Sequence, residues 1–443
     1  MGTRALPRPA SRPTGGVDRW NHLRTSLHSK LVSALTPEQL KNLSKDGVRD
    51  QIATVADKLI TETGLPMTTA EKDRLIEEVL DEVFGLGPLE PLMHDATVSD
   101  IMVNGFDSVY VERGGQLIET NVRFKDQAHL RMIIDRIVSN IGRRIDDSSP
   151  IVDARLADGS RVCAVIPPLS LIGPVMSIRR FGKKLLGPED LLKNLTMTPG
   201  MLQFLEAAVK ARLNVIISGG SGSGKTTLLN NLSRFIPEDE RIVTIEDIAE
   251  LQVQQEHIVR LETRPVNIEG AGGVSQRDLV INALRMRPDR ILIGECRGGE
   301  ALDMMQAMNT GHDGSMTTCH ANTARDAFSR LETMVMMASS AIPDRVIRQM
   351  LASAVQIVVQ VLRLIDGSRK ILSITEVTGV EEDFVELKDI FVFDREGINA
   401  QGRAVGQFRA TGYIPISLER MKSYGQKLDE GIFSEVVRVG DRG

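Results

Sequence analysis

The chain lacks most of what marks an exported, membrane-spanning or nucleic-acid-gripping protein. Only three of its 443 residues are cysteine. Cys163, Cys296 and Cys319 are widely separated and form no C-x-x-C pair, so no disulfide framework is expected. A zinc site would need Cys296, Cys319, His312 and His320 to converge, and their spacing fits no zinc pattern; reduced core thiols are the plainer reading. No window of about 18 apolar residues exists, so no segment is expected to span a bilayer. The opening MGTRALPRPASRPTGG carries basic residues but no apolar stretch behind them, which excludes a secretory signal. From these absences a cytosolic protein is expected. An excess of positive charge is missing too: the net charge of -5 gives no global field for gripping DNA or RNA. With 4% aromatic, 42% hydrophobic and 26% charged residues, the chain has a soluble globular composition and the length for two or three domains with separate cores.

What is present centres on residues 213–230, LNVIISGGSGSGKTTLLN. A short apolar strand stops at a glycine-rich turn, and a helix opens behind it. The pattern G-x-x-x-x-G-K-[ST] is met by Gly219, Gly224, Lys225 and Thr226. Glycines let backbone N–H groups curl around a β-phosphate where a side chain would block approach or forbid the required φ. Lys225 can reach the β- and γ-phosphates, Thr226 offers a hydroxyl to Mg²⁺, and the helix N-terminus adds partial positive charge. The cradle for a nucleotide such as ATP is therefore Gly219, Gly220, Ser221, Gly222, Ser223, Gly224, Lys225, Thr226 and Thr227.

Pattern and composition divide the chain around this loop. Residues 1–22 are rich in Pro, Arg, Gly and Ser and read as a disordered leader. Residues 23–97 turn helical: Ile52, Val55, Ala56, Leu59 and Ile60 recur at helical spacing, as do Leu75, Ile76, Val79, Leu80 and Val83. Thr36-Pro37-Glu38-Gln39 and Thr69-Ala70-Glu71-Lys72 look like helix starts. Residues 98–184 alternate short strands with tight turns around one helix near 127–142, a compact α+β (PAS-like) domain. Residues 185–374 alternate strands and helices as a parallel sheet does, the pattern of a RecA-like P-loop ATPase domain. Residues 375–443 read as a C-terminal appendage of strand-like pieces and one short helix. The fold class is α/β.

Other chemistry-bearing residues lie at strand ends. Arg290–Gly294 reads as a strand ending at Glu295, where a carboxylate can hold Mg²⁺ through water or polarise an attacking water; the plain alternative is an exposed strand-end glutamate. RIVTIED, residues 241–247, ends in Glu246 and Asp247 at the carboxyl end of a neighbouring strand. In GHDGSMTTCHAN, residues 311–322, His312 and His320 stand beside Thr317 and Thr318, as γ-phosphate sensors or as satisfied structural histidines. Phosphoryl transfer commonly draws an added arginine, and Arg155, Arg161, Arg179 and Arg180 are candidates, set against a solvated basic edge. The stripe Ala327, Leu331, Met334, Val335 and Ala338 reads as core packing.

The run from Gly219 to Ala338 resembles the secretion-superfamily ATPases of type II, type IV and Tad systems. It is similar above all to the CpaF-type ATPases that power Tad (Flp) pilus assembly. GGSGSGKTT, TIEDIAELQ, LETRP, the run RDLVINALRMRPDRILIGECRGGEALDMMQAMNTGHDGSMTTCHANT and SRLETMV carry the likeness, and SSPIVDARLADGSRVCAVIPPL with SIRRF extends it upstream. The resemblance implies that Glu246 acts on the water nucleophile, that Glu295 is the Walker B glutamate, and that His320 contacts the γ-phosphate region. It implies that Arg161 and Arg179 occupy positions where related ATPases bring arginines to nucleotide. A homo-hexameric ring, inner-membrane pilus platform partners and a peripheral place at the inner face of the bacterial inner membrane follow from it. Membrane association would be indirect, through those partners, with no direct nucleic-acid contact. The tetracysteine zinc insertion of many type II secretion and pilus-extension ATPases is missing, and Cys319 stands where the family usually has an aliphatic residue. A type IV secretion ATPase moving protein or DNA, and a non-hydrolysing nucleotide-binding scaffold, are the alternatives.

Overall fold

The computed structural model describes residues 49–440, apart from 51, 55, 59, 60, 62–67, 181–185, 265 and 267–270. The basic leader and the helix start expected at Thr36 lie outside the described residues, as do Val55, Leu59 and Ile60. The chain divides into two compact units, 1–181 and 182–443.

In the first unit, helix α1 (Thr69–Phe84) is capped by Thr68, one residue before the start read from sequence. The Thr68 hydroxyl accepts from the Glu71 N–H, and the Glu71 carboxylate accepts from the Thr68 N–H at 2.8 Å. That reciprocal pairing satisfies two orphan donors of the first turn. Leu75, Ile76, Val79 and Leu80 form its buried stripe. Strands β1 (Val98–Val103), β2 (Val109–Arg113), β3 (Gln116–Glu119), β4 (Ile151–Arg155), β5 (Arg161–Val165) and β6 (Val175–Arg179) make an antiparallel sheet of order β3-β2-β1-β6-β5-β4. Helix α2 (Gln127–Asn140) presents Leu130, Ile133, Ile134, Ile137 and Val138 to a core that also holds Ile101, Val111, Val162 and Ile178. The period-two alternation of the strands leaves Asp100, Arg161 and Arg179 partly or fully exposed, away from that core.

The second unit is built on one ten-stranded sheet. Its chain runs through α3 (Pro199–Lys210), β7 (Val215–Gly219), α4 (Lys225–Ser233), β8 (Ile242–Glu246), β9 (Ile258–Glu262) and α5 (Gln276–Ala283). Next come β10 (Arg290–Ile293), α6 (Glu300–Asn309), β11 (Met316–Cys319), α7 (Ala324–Ala338) and α8 (Asp344–Ala354). Last are β12 (Ile357–Arg363), β13 (Arg369–Glu381), β14 (Phe384–Ile398), β15 (Ala404–Ala410) and β16 (Val436–Val439). The sheet order is β16-β15-β14-β13-β12-β7-β11-β10-β8-β9, parallel from β12 to β9 and antiparallel from β12 outward.

Strands β7, β8, β10 and β11 are buried along their whole length, as expected of parallel strands with both faces covered. Two apolar clusters cover them: one holds Phe204, Leu229 and Phe391, the other Met305, Leu331 and Val335. Ala327, Leu331, Met334 and Val335 are core residues, as the stripe implied, and Cys296 and Cys319 are buried in the same cluster. The segment after residue 374 extends this same sheet through β13 to β16, and β14 reaches well past the short piece near 385–392 that the pattern suggested.

Candidate functional site

Strand β7 enters the phosphate loop between β12 and β11, its Gly219 facing Val361 across the β12 ladder. A Cβ on Gly219 would stand 2.3 Å from the Val361 carbonyl oxygen and 2.6 Å from Ser223 Oγ. Only glycine lets the two strands and the loop approach so closely. Gly222 and Gly224 have φ of +67° and +99°, the left-handed conformation that curls the backbone into a nest. Helix α4 then starts at Lys225 directly after Gly224, with no side chain capping its first turn. The first N–H groups of a helix have no intrahelical partner and favour an anion. Thr226 and Thr227 sit half-buried in that turn.

Lys225 is buried against the loop, its Nζ donating to the Gly220 carbonyl at 2.9 Å and lying 3.4 Å from His320 Nε2. The same ring nitrogen is 2.8 Å from Glu295 Oε1. Glu295 Oε2 accepts from Arg297 at 2.7 Å, and a second nitrogen of Arg297 lies 3.7 Å from Asp247. A run of close contacts, Lys225–His320–Glu295–Arg297–Asp247, therefore lies between the loop and the ends of three other strands. Burial and the Lys225 charge hold His320 below the usual histidine range, against the pull of Glu295. A neutral imidazole at this position can accept from Lys225 or donate to Glu295 through Nε2, but not both, so its tautomer selects the partner.

Glu246 is 3% exposed. Its Oε2 accepts from the N–H groups of Glu250 and Leu251 at 2.7 and 2.8 Å, while Oε1 is buried with no hydrogen-bond partner. Burial raises its pKa from 4.5 to about 7, partly opposed by those two bonds. A Cβ on Gly294 would press 3.0 Å from Glu246 Cγ, so glycine at the end of β10 makes room for this carboxyl. Thr318 ties β11 to β10 through a 2.7 Å bond to the Gly294 carbonyl.

Of the two carboxylates expected at the end of β8, Glu246 is buried and Asp247 exposed. His312 is not brought to the loop; it lies in the turn before β11, its carbonyl accepting from Ser315. Arg161 and Arg179 belong to the first unit, where they face each other across β5 and β6. Arg161 pairs with Asp153 at 3.3 Å and Arg179 with Asp100 at 3.4 Å. Arg297 lies outside the sequence-predicted site residues, although its place two residues after Glu295 is a signal for pairing with it.

The residues suit a polyphosphate with a divalent cation. A glycine cradle, a buried ammonium, a hydroxyl at the helix start, a carboxylate beyond it, and a buried carboxyl oxygen without a partner stand at the carboxyl ends of the parallel strands. The profile of the family described as Type II/IV secretion system protein matches residues 82–413. The chain belongs to that family. It is 34% identical over 281 residues to the conjugal transfer protein TrbB of Rhizobium radiobacter, across 62% of this chain and 83% of that one. It is 34% identical over 307 residues to the type IV secretion system protein PtlH of Bordetella pertussis, across 63% of this chain and 90% of that one. The crystal structure of the VirB11 ATPase from the Brucella suis type IV secretion system, in complex with sulphate, is 30% identical, covering 67% of this chain and 97% of that one with a TM-score of 0.37.

Proposed function

We propose that this type II/IV secretion system protein is a Mg²⁺-dependent ATPase motor. The observation that carries the reading is the chain from Lys225 through His320 to Glu295, which connects a phosphate cradle to a carboxylate placed for water or metal. Gly219 to Thr227 would hold the phosphates, and Thr226 and Glu295 the magnesium. Bound magnesium supplies charge neutralisation along the phosphates during transfer. Glu246, poised near neutrality by burial, is suited to take a proton from water. His320 reports on the cradle by exchanging one neighbour for the other. Phosphate release from purified protein tests the reading: turnover in wild type that disappears in Glu295→Gln supports it, and undiminished release from that variant refutes the assigned role. Measurable turnover also dismisses a non-hydrolysing scaffold. The assignment of Arg161 and Arg179 to catalysis rests on sequence resemblance and predicts loss of turnover in Arg161→Ala and Arg179→Ala.

The motor reading extends to assembly of a Tad (Flp) pilus, supported by the dense run of CpaF-like motifs from Gly219 to Ala338. We place the protein as a homo-hexamer at the inner face of the bacterial inner membrane, docked on platform proteins. Among the described residues no helix is long and apolar enough to cross a membrane. A second reading, a type IV secretion motor for protein or DNA, is favoured by the names of TrbB and PtlH. Deleting the gene separates them: loss of surface fibres supports the pilus, and loss of conjugation or effector export supports secretion. Mass photometry with a non-hydrolysable ATP analogue tests the ring.

A further inference from the structure

Strand β12 is hydrogen-bonded to the phosphate-loop strand up to Val361 opposite Gly219, and continues to Arg363. The chain then turns back, placing Arg369 directly opposite Arg363 on the β12–β13 ladder. The turn between them is tightly held. Leu364 donates its N–H to the Ser368 carbonyl at 2.7 Å, and Gly367 donates to the Leu364 carbonyl at 3.0 Å. Asp366 accepts from the Ser368 N–H and hydroxyl with one oxygen and from the Ala404 N–H with the other. Behind it, buried Lys370 donates to the carbonyls of Asn194 and Leu195. The backbone that carries both arginines is thus anchored from three sides.

The Arg363 guanidinium and the stem of Arg369 reach the loop, and the Arg369 guanidinium donates to the Gly367 carbonyl at 3.0 Å. Arg363 Nη1 lies 3.7 Å from the point where a Cβ on Gly222 would stand, and Arg369 Cγ lies 3.7 Å from the same point on Gly224. Those are the two left-handed glycines that shape the nest. We infer that Arg363 and Arg369 form a cationic clamp, supplied by the loop's own sheet, that grips the phosphate chain of a bound nucleoside di- or triphosphate, an inference that rests on the phosphate-loop reading above. A guanidinium presents a planar fork of donors that matches phosphate oxygens, whereas the Lys225 ammonium is a point charge. Because β12 is bonded to β7, the spacing of clamp and cradle is set within one sheet and does not depend on any other subunit.

The test is titration of the purified full-length protein with a fluorescent ADP analogue, with ADP and AMP as competitors. Arg363→Gln and Arg369→Gln are each expected to weaken ADP about tenfold, the worth of a hydrogen bond to a charged group. AMP affinity should stay near wild type because AMP lacks the β-phosphate that the loop cradles, so the preference for ADP over AMP narrows. Arg363→Lys, which keeps charge without the fork, is expected to recover part of the loss. Melting curves without nucleotide identify a folding defect, and Arg363→Lys and Arg369→Lys carry the comparison should the glutamine variants fail to fold. Glutamine variants that are folded and bind ADP as wild type does overturn the clamp while leaving the nucleotide reading intact. Wild type that binds no nucleotide overturns both.

Discussion

Glu246 should make both stability and catalysis depend on pH, in opposite directions. Its carboxyl is 3% exposed and titrates at about 7 in the folded protein, against 4.5 ordinarily, chiefly because burial penalises the charge. The folded state therefore keeps a proton that the unfolded chain releases, so stability is fully present below pH 4.5 and is lost as pH rises through 7. At 1.36 kcal/mol per pH unit the loss amounts to roughly 3 kcal/mol. Glu246→Gln has no such charge to bury, and its amide oxygen can still accept from Glu250 and Leu251. Urea denaturation of nucleotide-free protein should find variant and wild type comparable at pH 4.5, with the variant ahead by roughly 3 kcal/mol at pH 8. The same ionisation should appear in turnover: kcat/KM reports groups of the free enzyme, so wild type should show an acidic limb near pH 7 that Glu246→Gln lacks along with most of its rate. A stability gap that does not change between pH 4.5 and 8 would refute the burial of this charge. A wild-type rate that does not rise across pH 7 would refute its role as proton acceptor.

Three further outcomes follow from the same geometry. Lys225→Ala removes the ammonium that lies on the loop and is expected to abolish phosphate release and to weaken nucleotide binding, measured with the same fluorescent analogue. Glu295→Gln should bind nucleotide as wild type does while releasing no phosphate above background in a coupled assay. Gly219→Ala and Gly220→Ala are a matched pair: the first puts a Cβ 2.3 Å from the Val361 carbonyl, the second meets nothing within 4 Å. Overpacking against a backbone ladder costs about 2 kcal/mol, which lowers the melting temperature by about 4–8 °C, whereas Gly220→Ala should melt with wild type; equal melting of the two variants would contradict the close approach of β7 and β12.

The parts of the site that could be read from sequence are those whose geometry is local. A strand, a glycine turn and Lys225-Thr226 lie within one short segment, and the endings of β8 and β10 show as apolar runs that stop at Glu246 and Glu295. Burial of the Glu246 carboxyl was not legible, because it depends on the N–H groups of Glu250 and Leu251 folding back over it. Nor was the extent of β14, whose apolar residues are interrupted by Glu386, Lys388, Asp389 and Asp394. Arg363 and Arg369 flank a visible Asp-Gly turn signal, yet nothing in the chain order says that this hairpin adjoins a loop far upstream. Sheet order supplies the missing step. Strand β11 follows β10 in sequence but lies between it and β7, so the loop strand and the Glu295 strand stand about 10 Å apart, two spacings of the sheet. Across that gap β11 delivers His320 at its carboxyl end, its Nε2 3.4 Å from Lys225 Nζ and 2.8 Å from Glu295 Oε1. One ring nitrogen faces both neighbours, so the imidazole accepts from the ammonium in one tautomer or donates to the carboxylate in the other, which gives a physical reason for a histidine at this position and for the strand that carries it to lie between the other two.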